Sequence, residues 1–216
     1  MSYSTEQVVI LLAVVPNIMA ALIAVLNWRR IPFSLRPLIF LTLFSLFTEL
    51  ASRVLWFFKA PNLFIWPIYI SIEFALIVWL YSIELANGFL KRIRWAVVLG
   101  VAALAALESL LRSAHPFMID NAVRLLESIL IIALVLHYYY CSLRDITTSY
   151  IWQQPLFWVY TGLLFFFAGN FFIYMFINFA LFYSEKLNYR IWIAHAGLNS
   201  LLYCAYAYAL WISRKR

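Results

Sequence analysis

Charge is what this chain has least of. Only 12% of its 216 residues are Asp, Glu, Lys or Arg, while 66% are apolar. A soluble domain carries about 25% charged and about 45–50% apolar residues. Too few polar side chains are present to cover a water-exposed globule, and the mean hydropathy of +0.90 agrees. An all-α polytopic membrane protein is the class that remains. There are two cysteines, Cys141 and Cys204. Both fall near helix ends expected to face a reducing cytoplasm, so no disulfide is expected.

Other absences exclude particular chemistries. The last apolar segment has no lysine, so a retinal Schiff base has no anchor. A haem between two histidines needs both at one depth, whereas His137 and His195 are about 18 Å apart along the bundle axis at 1.5 Å per residue. No G-x-S-x-G, H-E-x-x-H or Walker sequence occurs. Low-complexity tracts and internal repeats are missing too, which argues against transporters built from two inverted halves. The net charge of +7 is not a nucleic-acid footprint, because basic residues of polytopic proteins collect at cytoplasmic helix ends.

What the chain does have is apolar runs long enough to cross a bilayer, which takes about 20 residues. The pattern predicts a single transmembrane domain over 1–216, a seven-helix bundle with spans at roughly 8–27, 36–58, 64–86, 95–112, 121–140, 155–182 and 191–212. Trp28, Trp56, Trp66, Trp95, Trp152, Trp192 and Trp211 fall at or near these ends, as an interfacial aromatic belt requires. Pro37, Pro155 and the Pro61/Pro67 pair sit at helix starts or turns. Pro16 is expected to kink the first helix beside Asn17. The first segment does not read as a cleaved signal, since its positive charges follow the apolar stretch.

Orientation comes from the loops. Arg29, Arg30, Arg36, Lys91, Arg92, Arg94, Arg144, Arg214, Lys215 and Arg216 lie on one side, which makes ten. Lys59, Arg112, Arg124, Lys186 and Arg190 lie on the other, which makes five. The ten mark the cytoplasm, so the N-terminus is expected outside and the C-terminus inside. The expected location is the bacterial inner membrane, with the lipid bilayer as first partner.

Ionisable groups inside a span are rare and mark function by default. Counted from the outer helix ends at 1.5 Å per residue, Glu49 and Glu73 lie at about 13 Å, Glu127 at about 9 Å, His195 at about 6 Å and Asn199 at about 12 Å. Asn178 lies at about 6 Å, and Asn170 lies near the midplane. Five helices thus place polar groups in the outer half. Arg53 can pair with Glu49 four residues earlier. Asn170, Tyr174 and Asn178 form one stripe, and His195, Asn199, Tyr203 and Tyr206 form another. Arg124, Glu127 and Ser128 cluster on the fifth span. Such stripes point into the bundle, because lipid offers them no partner.

The candidate ligand-binding residues are therefore Glu49, Arg53, Glu73, Glu127, Asn170, His195 and Asn199. Glu49, Glu73, Glu127 and His195 could also ligate a divalent metal such as zinc. Each has a structural alternative. Glu49–Arg53 reads equally as an ion pair, and Glu127 has Arg124 beside it. His195 and Asn199 could hold helices together. Glu73 has no basic residue within a turn, and Arg124 is expected near the headgroups. Glu108 with Arg112 reads as a helix-end pair, while Glu84 and His137 read as solvated.

From end to end the chain resembles an uncharacterised group of small seven-helix membrane proteins of Bacteroidota. The resemblance is carried by "FTEL", "SIEF", "LLESIL", "FWVYTGLLFFFAGN" and "IWIAHAGLNSLL". It implies the topology and the choice of site residues, and no reaction. A partial resemblance is to the CAAX-processing (Abi-type) intramembrane proteases. Their Glu-Glu-x-x-x-Arg motif is approached by "TELASR", with Thr48 for the first Glu, and their final motif by "HAGLN". Their middle histidine motif is missing, with Tyr69 and Glu73 at that place. That resemblance implies Glu49, Glu73 and His195 as catalytic groups of a hydrolase acting on lipid or peptide.

The expectation is a receptor-like or sensory membrane protein that binds a small ligand or metal ion in an outward-facing pocket. Its short loops would meet a cytoplasmic or membrane signalling partner. An intramembrane hydrolase and a small-solute transporter are the alternatives. Alkaline phosphatase fused after Arg216 should be inactive and a cytoplasmic reporter there active; strong phosphatase activity would invert the topology.

Overall fold

A computed structural model describes residues 12–60, 62, 64–84, 88–114, 121–144, 151–183 and 185–214. Its regular structure is helical, with no strand among the described residues. The helices are α1 (Val15–Leu26), α2 (Arg36–Phe57), α3 (Ile65–Glu84), α4 (Gly88–Ala114), α5 (Ala122–Arg144), α6 (Pro155–Tyr183) and α7 (Glu185–Ser213). Single turns of 3₁₀ helix, Phe33–Leu35 and Ile151–Gln153, lead into α2 and α6. Five stretches are long and apolar enough to cross a membrane: Phe33–Leu55, Ile65–Ile83, Lys91–Leu111, Ala122–Arg144 and Pro155–Ile177.

Prolines set several starts. Pro155 opens α6, and Pro37 is the second residue of α2, where a missing N–H costs nothing. Pro16 likewise occupies the first turn of α1. Leu12 is helical and a turn at Ala13–Val14 separates it from α1; residues 8–11 of the expected span lie outside the described residues. α2 ends on Lys59 at φ 53°, and Ala60 N–H donates to Leu55 O at 2.9 Å. That is a Schellman ending made without glycine. α4 begins at Gly88 and α7 at Glu185, both earlier than the apolar runs indicate, because helix continues past the apolar part.

Six helices make a ring in the order α1, α2, α3, α5, α6, α7, with α7 packed back on α1. α4 lies outside it, mainly against α3 and more thinly against α5. Burial follows this plan: 44% of the α3 span is enclosed by protein, against 22% for α4. The interior holds Phe74, Ile77, Leu80, Ile131, Tyr160, Leu163, Phe167 and Tyr206, all almost wholly buried. Tyr138 of α5 stacks on Tyr160 of α6 at 4.2 Å.

α6 and α7 pack most extensively of any pair, and Gly162 makes that possible. A Cβ there would stand 2.9 Å from the Ala205 Cβ and 3.3 Å from Leu202 Cδ1. Ala205 has no rotamer with which to retreat, so the helices would have to separate. Gly162→Ala should therefore destabilise the protein by roughly 1–3 kcal/mol despite alanine's better helix propensity. Adding Ala205→Gly should recover part of the loss; thermal unfolding in detergent measures both, and a neutral Gly162→Ala would show that α6 and α7 do not approach this closely.

Candidate functional site

The bundle has two distinguishable ends. Arg94 Nη1 on α4 donates to Ser82 Oγ on α3 at 2.7 Å, and Tyr81 of α3 meets His137 of α5. Trp158 of α6 packs on Tyr208 of α7. Those links join one end. The buried acids and their partners occupy the other half.

Their centre is Arg124. Its side chain is 5% exposed, and its Nη1 donates to Glu73 Oε2 at 2.7 Å and to Glu127 Oε2. The guanidinium carbon also lies 4.7 Å from the Trp66 ring centre and 5.4 Å from that of Tyr69, within cation–π range. Tyr69 O–H donates to Glu73 Oε1 at 2.9 Å and lies 3.2 Å from Ser45 Oγ of α2. Ser128 Oγ turns back to Arg124 O at 2.8 Å. Helices α2, α3 and α5 are thereby joined through polar groups.

A band of rings continues from this centre. The Tyr174 ring of α6 lies 6.3 Å from Trp66 and 6.3 Å from His195 of α7. Asn170 Oδ1 accepts from His195 Nδ1–H at 2.6 Å, which leaves the His195 Nε2 lone pair outward of that bond. Phe166 and Trp192 flank the imidazole at 6.0 and 5.6 Å.

The structure thus joins Glu73 and Glu127 through Arg124, and pairs Asn170 with His195 beside them across the Tyr174 ring. Glu49 and Arg53 stand apart. Arg53 Nη2 donates to Glu49 Oε1 at 2.7 Å, Asn17 Nδ2 donates to Glu49 Oε2 at 3.3 Å, and the two charged side chains are 24% and 31% exposed. Asn199 is half-buried on α7 and makes no side-chain hydrogen bond among the described residues. The side chain of Asn178 lies outside the described residues. The candidate metal ligands Glu49, Glu73, Glu127 and His195 do not form one set: Glu73 and Glu127 share Arg124, Glu49 pairs with Arg53 and His195 with Asn170, and among the described residues no three His, Cys, Asp or Glu side chains gather.

Two expectations are corrected. Glu73 does have a basic partner, because Arg124 is buried and not at the headgroups. The reason is the level at which α5 begins. Val123 N–H donates to Glu108 Oε2 at 2.9 Å, and Glu108 lies six residues, about 9 Å, below the end of α4. The first turn of α5 is therefore sunk into the protein. Glu108 accordingly serves α5 as a carboxylate at a helix N-terminus, beyond any pairing with Arg112, whose side chain is outside the described residues. His137 is half-buried, with Nδ1 2.6 Å from the buried Tyr81 hydroxyl, so it is not simply solvated; the Glu84 side chain is not described. Trp66 and Ser45 were not singled out from sequence, because neither type stands out in a chain this aromatic.

One guanidinium faces two carboxylates, and Glu127 Oε1 is wholly buried without a hydrogen-bond partner. Arg124 Nε and Asn170 Nδ2 are also buried and unpartnered. This set offers donors on α5 and α6 and one carboxyl oxygen, the arrangement expected where a further polar group enters. Comparison with known protein families, curated proteins and solved structures finds no match to the chain.

Removing Arg124 alone would leave two buried carboxylates facing each other. Arg124→Gln should cost about 3–5 kcal/mol. Arg124→Met combined with Glu73→Gln and Glu127→Gln should recover most of it, because no buried charge remains. Unfolding titrations in detergent decide this, and a silent Arg124→Gln would place the guanidinium in water.

Proposed function

We infer that this is a seven-span protein of a bacterial inner membrane, N-terminus outside, whose buried Arg124–Glu73–Glu127 centre is a receptor-like binding site for a small cationic ligand. One observation carries the reading: two carboxylates share one guanidinium, and the oxygen left over, Glu127 Oε1, is enclosed and unpartnered. An unbalanced negative charge in a low-dielectric interior costs several kcal/mol. A ligand cation removes that cost, and rings already surround the place where it would enter. Asn170, Tyr174 and His195 supply the neutral contacts that would orient it.

The membrane reading has five apolar helices behind it. The two further spans, α1 and α7, complete the ring. The orientation draws support from the basic loops, and the bacterial inner membrane from the resemblance to the Bacteroidota group. The ten basic residues of the cytoplasmic side would then meet a signalling partner.

The hydrolase alternative gains nothing from the geometry. Glu49 is bonded to Asn17 and Arg53, His195 to Asn170, and no hydrogen bond joins the two among the described residues. Glu73 is held by Arg124 and Tyr69, which suits a charge partner better than a base that must activate water.

Glu127→Gln tests the assignment, because it deletes the surplus charge while keeping the shape. Wild-type protein should gain melting temperature from a ligand among a panel of small amines and monovalent cations, by the linkage of binding to stability. Glu127→Gln should lose that gain and, without ligand, be as stable as wild type or up to about 1 kcal/mol more so. A melting point that responds to pH and to no cation would assign the surplus charge to a bound proton and overturn the receptor reading.

A further inference from the structure

Every carboxylate side chain described, Glu49, Glu73, Glu108 and Glu127, belongs to the half of the bundle that holds Arg124. The opposite end carries exposed Arg36, Lys91, Arg92 and Arg144. Most of these extend into solvent, as cytoplasmic arginines do. Arg94 is different.

Arg94 is half-buried in the second turn of α4, and among the described residues no carboxylate lies against it. Its guanidinium is nevertheless fixed. Nη1 donates to the buried Ser82 Oγ at 2.7 Å, and the guanidinium carbon stands 5.3 Å from the Trp95 ring centre. Its Nε is buried and has no hydrogen-bond partner. Arg53 and Arg124 both hold carboxylates. Arg94 and Arg214 are half-buried with no carboxylate partner among the described residues, and of these two only Arg94 has a buried Nε without a hydrogen-bond partner.

The position narrows the anion. α4 leans on α3 and packs only thinly on α5, so its flanks are open to lipid along their length. Trp95 is half-exposed at this level, where an indole marks the interface between hydrocarbon and headgroups. Lys91 and Arg92, on the preceding turn, add positive charge at the N-terminal end of the α4 dipole. A guanidinium presents a planar fork of N–H donors that matches two oxygens of a phosphate.

We propose that Arg94, seated on Ser82 and Trp95, binds the phosphodiester of an anionic phospholipid at the basic end of the α3–α4 pair, with Lys91 and Arg92 drawing the headgroup in. The site is separate from the Arg124 centre, so its failure would leave the ligand reading untouched.

The test compares purified protein in nanodiscs of phosphatidylcholine alone and with phosphatidylglycerol added. Wild type should melt several degrees higher with phosphatidylglycerol, and high salt should shrink the difference. Arg94→Gln should lose most of the shift, and Arg214→Gln, at the same end but stacked on Trp211, should keep most of it. Equal losses in the two variants would reduce the effect to diffuse attraction and overturn the site. Glycerol 3-phosphate added to phosphatidylcholine discs should do nothing; a full shift would make the ligand a soluble phosphate and overturn the lipid assignment. Should Arg94→Gln fail to fold, Arg94→Lys keeps a charge without the fork and should lose part of the shift. Native mass spectrometry of wild type gives an independent reading: retained phosphatidylglycerol in excess of phosphatidylcholine supports the site, and equal retention refutes it.

Discussion

The structure turns on a positive charge where a helix would least accept one. Arg124 stands in the first turn of α5, at the positive end of the helix dipole, where acidic residues are favoured and basic ones are not. It is also enclosed, so water cannot screen it. Two carboxylates and two aromatic faces offset these costs, and they come from α3 and from α5 itself. Glu108, from α4, adds a third negative group at the same helix end. A guanidinium that needs so much compensation contributes little net stability; a buried ion pair often does no better than apolar side chains of the same volume. Its presence is easier to understand as the cost of a site than as a device for holding helices together.

Placement of α5 follows from the same constraint. To bring Arg124 level with Glu73, the N-terminus of α5 is drawn in until Val123 meets the Glu108 carboxylate. This is why α4, otherwise the least enclosed helix, is tied to the ring at a defined height. The polar groups of α6 and α7 are then met from the side, through Tyr174, whose ring spans from Trp66 to His195. Direct hydrogen bonds hold α2, α3 and α5, and ring contacts carry the connection onward. The first group fixes distances within a few tenths of an ångström, and the second tolerates more movement, so any adjustment to a ligand is easier on the α6–α7 side.

The helical character and the approximate positions of the helices were legible in the apolar runs and in the prolines at their starts. So was the gathering of Glu73, Glu127, Asn170 and His195 in one half of the bundle, since counting residues along a helix gives depth directly. The count failed for Arg124 because it assumes that every helix begins at the same level. α5 does not, and nothing local to "NAVRLLES" says so; the cause is a carboxylate fifteen residues earlier, on another helix. Glu49 illustrates the opposite limit. Its depth agrees with that of Glu73, but depth does not give azimuth around the bundle axis, and Glu49 turns toward Asn17 of α1 instead of the Arg124 centre. Trp66 escaped because it was read as one of many belt tryptophans.

α3 takes part at both ends through direct polar contacts. It carries Tyr69 and Glu73 in the Arg124 centre, and Tyr81 and Ser82 at the basic end, where they meet His137 and Arg94. Nine residues, about 14 Å, separate Glu73 from Ser82. Between them Phe74, Ile77, Val78 and Leu80 are buried on the ring. A helix enclosed in this way is not easily bent, because interiors are close-packed and resist local strain. It can turn or slide as a unit. A ligand that took over one of Arg124's carboxylates would change the hold on Glu73, and a rigid α3 would carry that change to Ser82 and hence to Arg94. Coupling between the Arg124 centre and the basic end would therefore need no chain of small side-chain shifts, only two stable settings of a single rod, each favoured by what is bound at either end.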